Sequence, residues 1–190
     1  MRVTPLAISE VLLVEPDVFE DSRGLFAETY STRRYRELGI DCEFVQDNLS
    51  FSRAGTLRGL HYQIAQEQAK LVTVLRGRVF DVAVDIRRGS PTFGQHVSYE
   101  LSADGLKQLY IPCGFAHGFV ALEDSIFQYK CSAFFAPQFE RGLVWDDPAL
   151  AIAWPMMPTE VSDKDRKHRR LRDIPPDELP CLGKARGTHA

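Results

Sequence analysis

Val79-Phe80-Asp81-Val82-Ala83-Val84-Asp85-Ile86-Arg87 is the stretch on which the fold reading turns. In an extended chain Phe80, Val82, Val84 and Ile86 fall on one face, and Asp81, Ala83, Asp85 and Arg87 on the other. A two-residue period is the signature of a strand, and the rest of the chain repeats it in shorter form. Apolar segments at 11–14, 25–30, 44–48, 57–63, 71–75, 95–101, 108–111, 119–122 and 126–135 are separated by turn residues. The turns are Ser22-Arg23-Gly24, Ala54-Gly55, Gly77, Gly89-Ser90-Pro91, Asp104-Gly105 and Pro112-Cys113-Gly114.

Helical periods are nearly absent. One short helix is predicted over 31–38, with Ser31 as its N-cap and Gly39 just beyond its end. A second starts at Ser162-Asp163-Lys164-Asp165, with Ser162 capping and Asp165 at the third helical position. The expectation is an all-β protein, a jelly-roll barrel with a few short helices, because that architecture folds many short antiparallel strands around one cavity. A single domain is predicted over 1–175. Residues 164–172 form a basic run, and 176–190 read as a polar, loosely held tail rich in Pro and Gly.

The bulk composition narrows the function. The 190 residues are 44% hydrophobic and 26% charged, as in a soluble globular protein. A net charge of −3 gives no global basic field for nucleic acid, so an anionic ligand needs a local cluster of cations. Cys42, Cys113, Cys131 and Cys181 form no CxxC pair and no secreted disulfide framework. They suit free thiols in a reducing compartment. Met1 to Pro16 has no signal-peptide pattern. No apolar run reaches the ~18 residues of a membrane span. Cytoplasmic location without membrane attachment is the expectation.

Two of the five histidines stand in patterned surroundings. His117 ends Pro112-Cys113-Gly114-Phe115-Ala116-His117, the PxGxxH pattern of a cupin turn. The place where a metal cupin carries HxH reads His61-Tyr62-Gln63. One histidine per motif is too few for a stable metal site, so no metal and no cofactor are predicted. The chemistry then falls to side chains. Histidine carries protons near neutral pH, but taking a proton from carbon needs a neighbouring group that stabilises the enolate. Lys70 and Tyr129 lie in strand-like segments and can serve as cation and proton donor. Asp165 can orient a histidine. Arg23 and Arg58 each precede a glycine, where backbone approaches closely and a guanidinium fork can hold a diphosphate. Strict alternation sets Arg58 and His61 on opposite faces of their strand, so a bulge at Gly59 is expected if both serve one site.

These residues sit in longer stretches that resemble a known family. They are Asp21-Ser22-Arg23-Gly24-Leu25-Phe26-Ala27-Glu28, Phe44-Val45-Gln46-Asp47-Asn48, Leu57-Arg58-Gly59-Leu60-His61-Tyr62-Gln63 and Gln68-Ala69-Lys70-Leu71-Val72. The strand at 79–87, Ser90-Pro91-Thr92-Phe93-Gly94, the run 111–119, Phe127-Gln128-Tyr129-Lys130 and Trp145-Asp146-Asp147-Pro148 complete the set. Over 8–165 the chain resembles the dTDP-4-dehydrorhamnose 3,5-epimerases, enzymes on a cupin-type jelly roll (double-stranded β-helix).

The resemblance implies that His61 removes protons beside a C4 ketone with Asp165 as its carboxylate partner. Lys70 would stabilise the C4 enolate and Tyr129 return a proton from the opposite face. It further implies that Arg23, Phe26, Glu28, Gln46, Asn48, Arg58, His117, Phe135, Glu140 and Lys164 contact the nucleotide sugar, with Phe135 stacked on the base. The substrate would be a dTDP-4-keto-6-deoxy sugar. The assembly would be a homodimer in which Arg23 or Glu28 can serve the neighbouring subunit. The expected activity is inversion of C3 and C5 of dTDP-4-dehydro-6-deoxy-D-glucose, on a route to rhamnose for cell-surface polysaccharide such as lipopolysaccharide. The alternatives are a single-carbon epimerase of specialised deoxysugar synthesis, a 3,4-ketoisomerase, a metal-dependent cupin oxygenase and a non-catalytic sugar-nucleotide binding module.

Overall fold

The computed structural model describes residues 1–183. Its strands are β1 (Arg2–Pro5), β2 (Leu12–Glu15), β3 (Val18–Asp21), β4 (Gly24–Ala27), β5 (Gln46–Ser52), β6 (Thr56–Gln63) and β7 (Lys70–Arg76). They continue with β8 (Arg78–Asp85), β9 (His96–Ser102), β10 (Gln108–Ile111), β11 (Phe115–Ala121), β12 (Ser125–Cys131), β13 (Glu140–Gly142) and β14 (Glu160–Val161). Helices α1 (Thr32–Glu37) and α2 (Asp163–Arg166) are short. Two sheets face each other, one in the order β1-β2-β10-β7-β12-β5 and one in the order β13-β6-β11-β8-β9. The fold is a cupin-type jelly roll, as the turn spacing predicts. Among the described residues no helix is long and apolar enough to cross a membrane.

Strand β8 is buried on both faces. Val79 and Ala83 of β8 join Val72, Val74, Leu109, Phe119 and Phe127 in the core between the sheets. The more apolar face, Phe80, Val82, Val84 and Ile86, turns away from the barrel and packs under Leu143, Leu150, Leu171, Ile174 and Leu179. The polar face therefore lies inward, and Asp81 and Asp85 are fully buried. A buried carboxylate persists only when donors satisfy it. Asp85 accepts from Arg87 N, Nε and Nη2, from Ser90 Oγ and from Thr92 Oγ1, at 2.6–2.9 Å. This carboxylate organises the loop in which Ser90-Pro91-Thr92-Phe93-Gly94 lies.

The second core explains a correction at the C-terminus. The segment after 175, predicted to be loosely held, is packed as far as the structure describes it. Leu179 is 5% exposed, Arg88 N donates to Pro180 O at 2.8 Å, and Arg88 bridges to Cys181. A few apolar residues spaced among prolines suffice to cover a sheet face, and no periodicity announces them. Residues 184–190 of the predicted tail lie outside the described residues.

Strand bounds also shift. The strand predicted at 119–122 begins at Phe115, so His117 lies within β11 and not in a turn. The strand predicted at 126–135 ends at Cys131. Ser31 precedes α1 without making a side-chain cap bond, whereas Ser162 accepts from Asp165 N as predicted.

β3 and β4 form a ribbon of their own, paired with neither main sheet. It exposes Phe19, Leu25 and Phe26.

Two outcomes test this layout. Leu179→Ala should lower unfolding free energy by about 2–5 kcal/mol, the usual cost of emptying a buried leucine site. Gly118→Ala should cost ~1–3 kcal/mol by overpacking, because a Cβ there would meet Arg58 O at 2.5 Å and Gly59 Cα at 2.9 Å. Urea denaturation curves measure both.

Candidate active site

A cavity of about 740 Å³ opens between the sheets. β6, β7, β11, β12 and α2 contribute His61, Lys70, His117, Tyr129 and Asp165 to its wall, with Asn48, Arg58 and Lys164 toward the mouth.

The local geometry of β6 makes this convergence possible. His117 of β11 pairs with His61, yet Phe119 pairs with Arg58, so three steps on β6 match two on β11. This is the bulge expected at Gly59, and it puts Arg58 and His61 on the same cavity. Gly59 has φ 127, and a Cβ there would lie 2.5 Å from Gly118 Cα. Both the backbone conformation and the close approach require glycine. On its other edge β6 is shared, antiparallel to β13 over His61–Gln63 and parallel to β14 at Thr56 and Leu57. Between them the Asp165 carboxylate supplies the missing acceptor, taking Gly59 N on Oδ2 at 3.3 Å. Its Oδ1 lies 2.7 Å from His61 Nε2.

Asp165 is 3% exposed. Burial pushes its carboxyl up, but His168, His61 and the Gly59 amide together bring it well below the usual carboxylate range. Asp165 is therefore the acceptor, and His61 Nε2 the donor, in the contact between them.

Lys70 is buried, and that burial drives its ammonium pKa down. Its Nζ stands 6.0 Å from the centre of the Tyr129 ring. Burial pushes the Tyr129 phenol up, so it keeps its proton at neutral pH. His117 Nε2 lies 2.9 and 3.1 Å from the two oxygens of Asp81. Burial pulls the His117 pKa down, outweighing the Asp81 carboxylate beside it. Phe127 stacks on Phe119 with ring centres 4.2 Å apart and completes an aromatic floor beside His117.

A second cavity of about 280 Å³ adjoins the first and shares Asn48 and Tyr129 with it. Gln46, Phe135 and Glu140 line it. Its loop is held from both sheets, since Gln46 Oε1 accepts Phe135 N and Gln63 Oε1 accepts Ala136 N, each at 2.8 Å. Glu140 pairs with Lys164. Arg58 reaches across to β5, donating to Ser52 Oγ at 2.9 Å and Phe51 O at 3.2 Å.

Three predicted contacts are not brought to this chain's own cavity. Arg23 pairs with Asp21 at the tip of the β3–β4 ribbon, Phe26 is exposed on it, and Glu28 pairs with Arg34. Two residues that shape the site escape the sequence reading. Asp81 belongs to the polar face of β8, which gives no sign of pointing inward. His168 sits in a basic run, yet packs beside Asp165 with its ring 5.7 Å from that of His61.

The family model described as dTDP-4-dehydrorhamnose 3,5-epimerase matches residues 5–173, most of the chain. The chain belongs to this family. A dTDP-4-dehydrorhamnose 3,5-epimerase from Pseudomonas aeruginosa is 53% identical over 176 residues, covering 91% of this chain and 97% of the relative. Among solved structures, the 3,5-epimerase of Legionella pneumophila in complex with dTDP-4-keto-L-rhamnose is 47% identical. It superposes with a TM-score of 0.94, covering 96% of this chain and 99% of that one. A 3'-monoepimerase from Streptomyces bikiniensis, bound to dTDP-quinovose, is 34% identical with a TM-score of 0.85, covering 93% and 92%. The epimerase fold thus accompanies both double and single inversion.

The buried Lys70 ammonium predicts a separation of stability from activity. The folded pKa lies below the ordinary 10.5, so the unfolded chain holds this proton more tightly. Stability should rise with pH between the lowered pKa and the ordinary value. Lys70→Met should raise Tm, by roughly 2–4 °C per kcal/mol gained, while abolishing turnover. Calorimetry beside an activity assay checks both.

Proposed function

We propose that the chain inverts C3 and C5 of dTDP-4-dehydro-6-deoxy-D-glucose to give dTDP-4-dehydro-L-rhamnose. The observation that carries this is the meeting of His61, Lys70, Tyr129 and Asp165 on one cavity wall. They supply a base with its carboxylate, a cation and a protonated phenol.

His61 Nδ1 takes the proton from the carbon beside the C4 ketone. The electron pair moves through the new C=C bond onto the ketone oxygen, making an enolate. Lys70 faces that oxygen, and its desolvated ammonium acts at low dielectric, where a fixed charge is worth most. Tyr129 returns a proton to the carbon from the opposite face, inverting it. Solvent then restores the proton to Tyr129 and removes it from His61. The same cycle at the second carbon completes the reaction. Asp165 holds the His61 ring and favours its imidazolium form during each cycle.

Gln46, Asn48, Arg58, Glu140 and Lys164 hold the nucleotide end, Phe135 offers a ring for the base, and His117 contacts the sugar. Arg23, Phe26 and Glu28 act in a homodimer, the exposed ribbon of one subunit reaching the other's site. The apolar Phe19, Leu25 and Phe26 surface supports that assembly, since such residues clustered on a thin ribbon are costly to leave in water.

Incubation with dTDP-4-keto-6-deoxyglucose in deuterated water, followed by NMR, tests the reading. Deuterium should enter at both C3 and C5, with the L-lyxo product trapped by a reductase. Incorporation at one carbon alone would make the chain a single-carbon epimerase. No incorporation, with nucleotide still bound, would return it to a binding module. His61→Ala should lose about 10²–10⁴ in turnover while dTDP affinity, read by calorimetry, largely survives.

A further inference from the structure

The proposed reaction uses one histidine on Asp165, but the structure gives that carboxylate two. His168 Nε2 lies 3.5 Å from Asp165 Oδ1, on the same oxygen that faces His61 Nε2 at 2.7 Å. The His168 side chain is only 13% exposed. Its Nε2 is shielded from solvent and makes no well-aligned hydrogen bond, a costly arrangement for a buried polar atom. The two ring nitrogens and the carboxylate oxygen all lie within 4.8 Å of one another.

We propose that His61, Asp165 and His168 form a binding site for a divalent cation of the zinc class, and that its occupation switches the enzyme off. The inhibitory half of this proposal rests on the function proposed above; the binding half does not.

Two imidazoles and one carboxylate are a donor set that suits zinc, cobalt and nickel, and three protein ligands leave a further position open. Bonds of ~2.0–2.2 Å in a tetrahedron place ligand atoms about 3.3 Å apart; the separations here are 2.7 and 3.5 Å to the carboxylate oxygen and no more than 4.8 Å between the two ring nitrogens, so ring rotation has to bring the histidines onto the ion. Two of the ligands are already fixed. Asp165 is held by Gly59 N and by its own N–H to the Ser162 cap. His168 is held through its neighbour Arg169, whose carbonyl accepts from Val144 N at 3.0 Å. Its ring fills the space where a Cβ on Gly142 would meet Nε2 at 2.4 Å. His61, 29% exposed, borders the cavity and leaves the open coordination position there.

A cation at this place binds the Nε2 lone pair of His61, which leaves the ring's one proton on Nδ1, and takes the oxygen through which Asp165 supports the ring. Nδ1 then has no lone pair with which to accept a proton from carbon. Lys70 and Lys164 border the same cavity and oppose a dication, so the site suits reversible occupation.

The test uses the full chain after dialysis against EDTA. Zn²⁺ is titrated by calorimetry and Co²⁺ by visible absorption, in buffers that do not chelate. One ion per chain is expected, with a cobalt spectrum lacking thiolate charge-transfer bands. His168→Gln retains size and a donor but ligates metal poorly. It should bind Zn²⁺ at least about tenfold more weakly, since even changes outside the ligand set cost that much. The turnover that this variant retains without metal should no longer fall when Zn²⁺ is added, whereas the parent should be inhibited by Zn²⁺ and recover with EDTA. Unchanged Zn²⁺ affinity in His168→Gln, binding through thiolate, or no stoichiometric binding would overturn the site. Because the titrations contain no sugar nucleotide, they decide it even if the epimerase reading fails.

Discussion

The Asp165 carboxylate lies on the stretch of the β6 edge, Arg58 to Leu60, that neither β13 nor β14 covers. One oxygen completes the ladder through Gly59 N, and the other meets His61. Structure and chemistry therefore share a single side chain. The bulge that frees the Gly59 amide also rotates Arg58 onto the face of His61. The Gly59–Gly118 approach keeps β6 and β11 close enough for His61 and His117 to pair. Removing the carboxylate would leave a buried amide without its acceptor and an imidazole without its orienting partner, so no substitution at Asp165 separates the two roles cleanly.

The barrel carries its polar groups inward and offsets them outside. Asp81, Lys70 and His117 occupy interior positions that an ordinary core would give to aliphatic residues. Apolar packing continues on the far side of β8 and β11, where the chain from Leu143 to Leu179 covers the sheet. A site built of desolvated charges weakens the fold around it, and a second apolar layer restores stability without filling the cavity.

Much of this was legible in the sequence, and the reasons for the rest are physical. The period-2 pattern of 79–87 gave the strand and the all-β class, and the glycine beside Arg58 gave the bulge. The alternation could not say which face of β8 looks inward, because a strand covered on both sides has no solvent face to mark it. The packed residues 176–183 were hidden for a related reason: irregular chain lying on a sheet has no period to detect. His168 was masked by the arginines and lysines around it, since its relation to Asp165 comes from the short turn after α2. Phe26 and Glu28 were named as contacts from resemblance alone and Arg23 also from the glycine beside it, and one chain by itself leaves all three away from its own cavity.

The loop carrying Phe134 and Phe135 is tethered by one glutamine from each sheet, Gln46 of β5 and Gln63 of β6. Its two exposed rings are thus mounted on a caliper whose jaws are the walls of the barrel. Their position records the spacing between the sheets. A methyl group added or removed deep in the shared core, far from any ligand, would by this tether shift the surface that faces an aromatic base. Tightness of packing and selectivity for what lies against those rings are in this way one mechanical quantity.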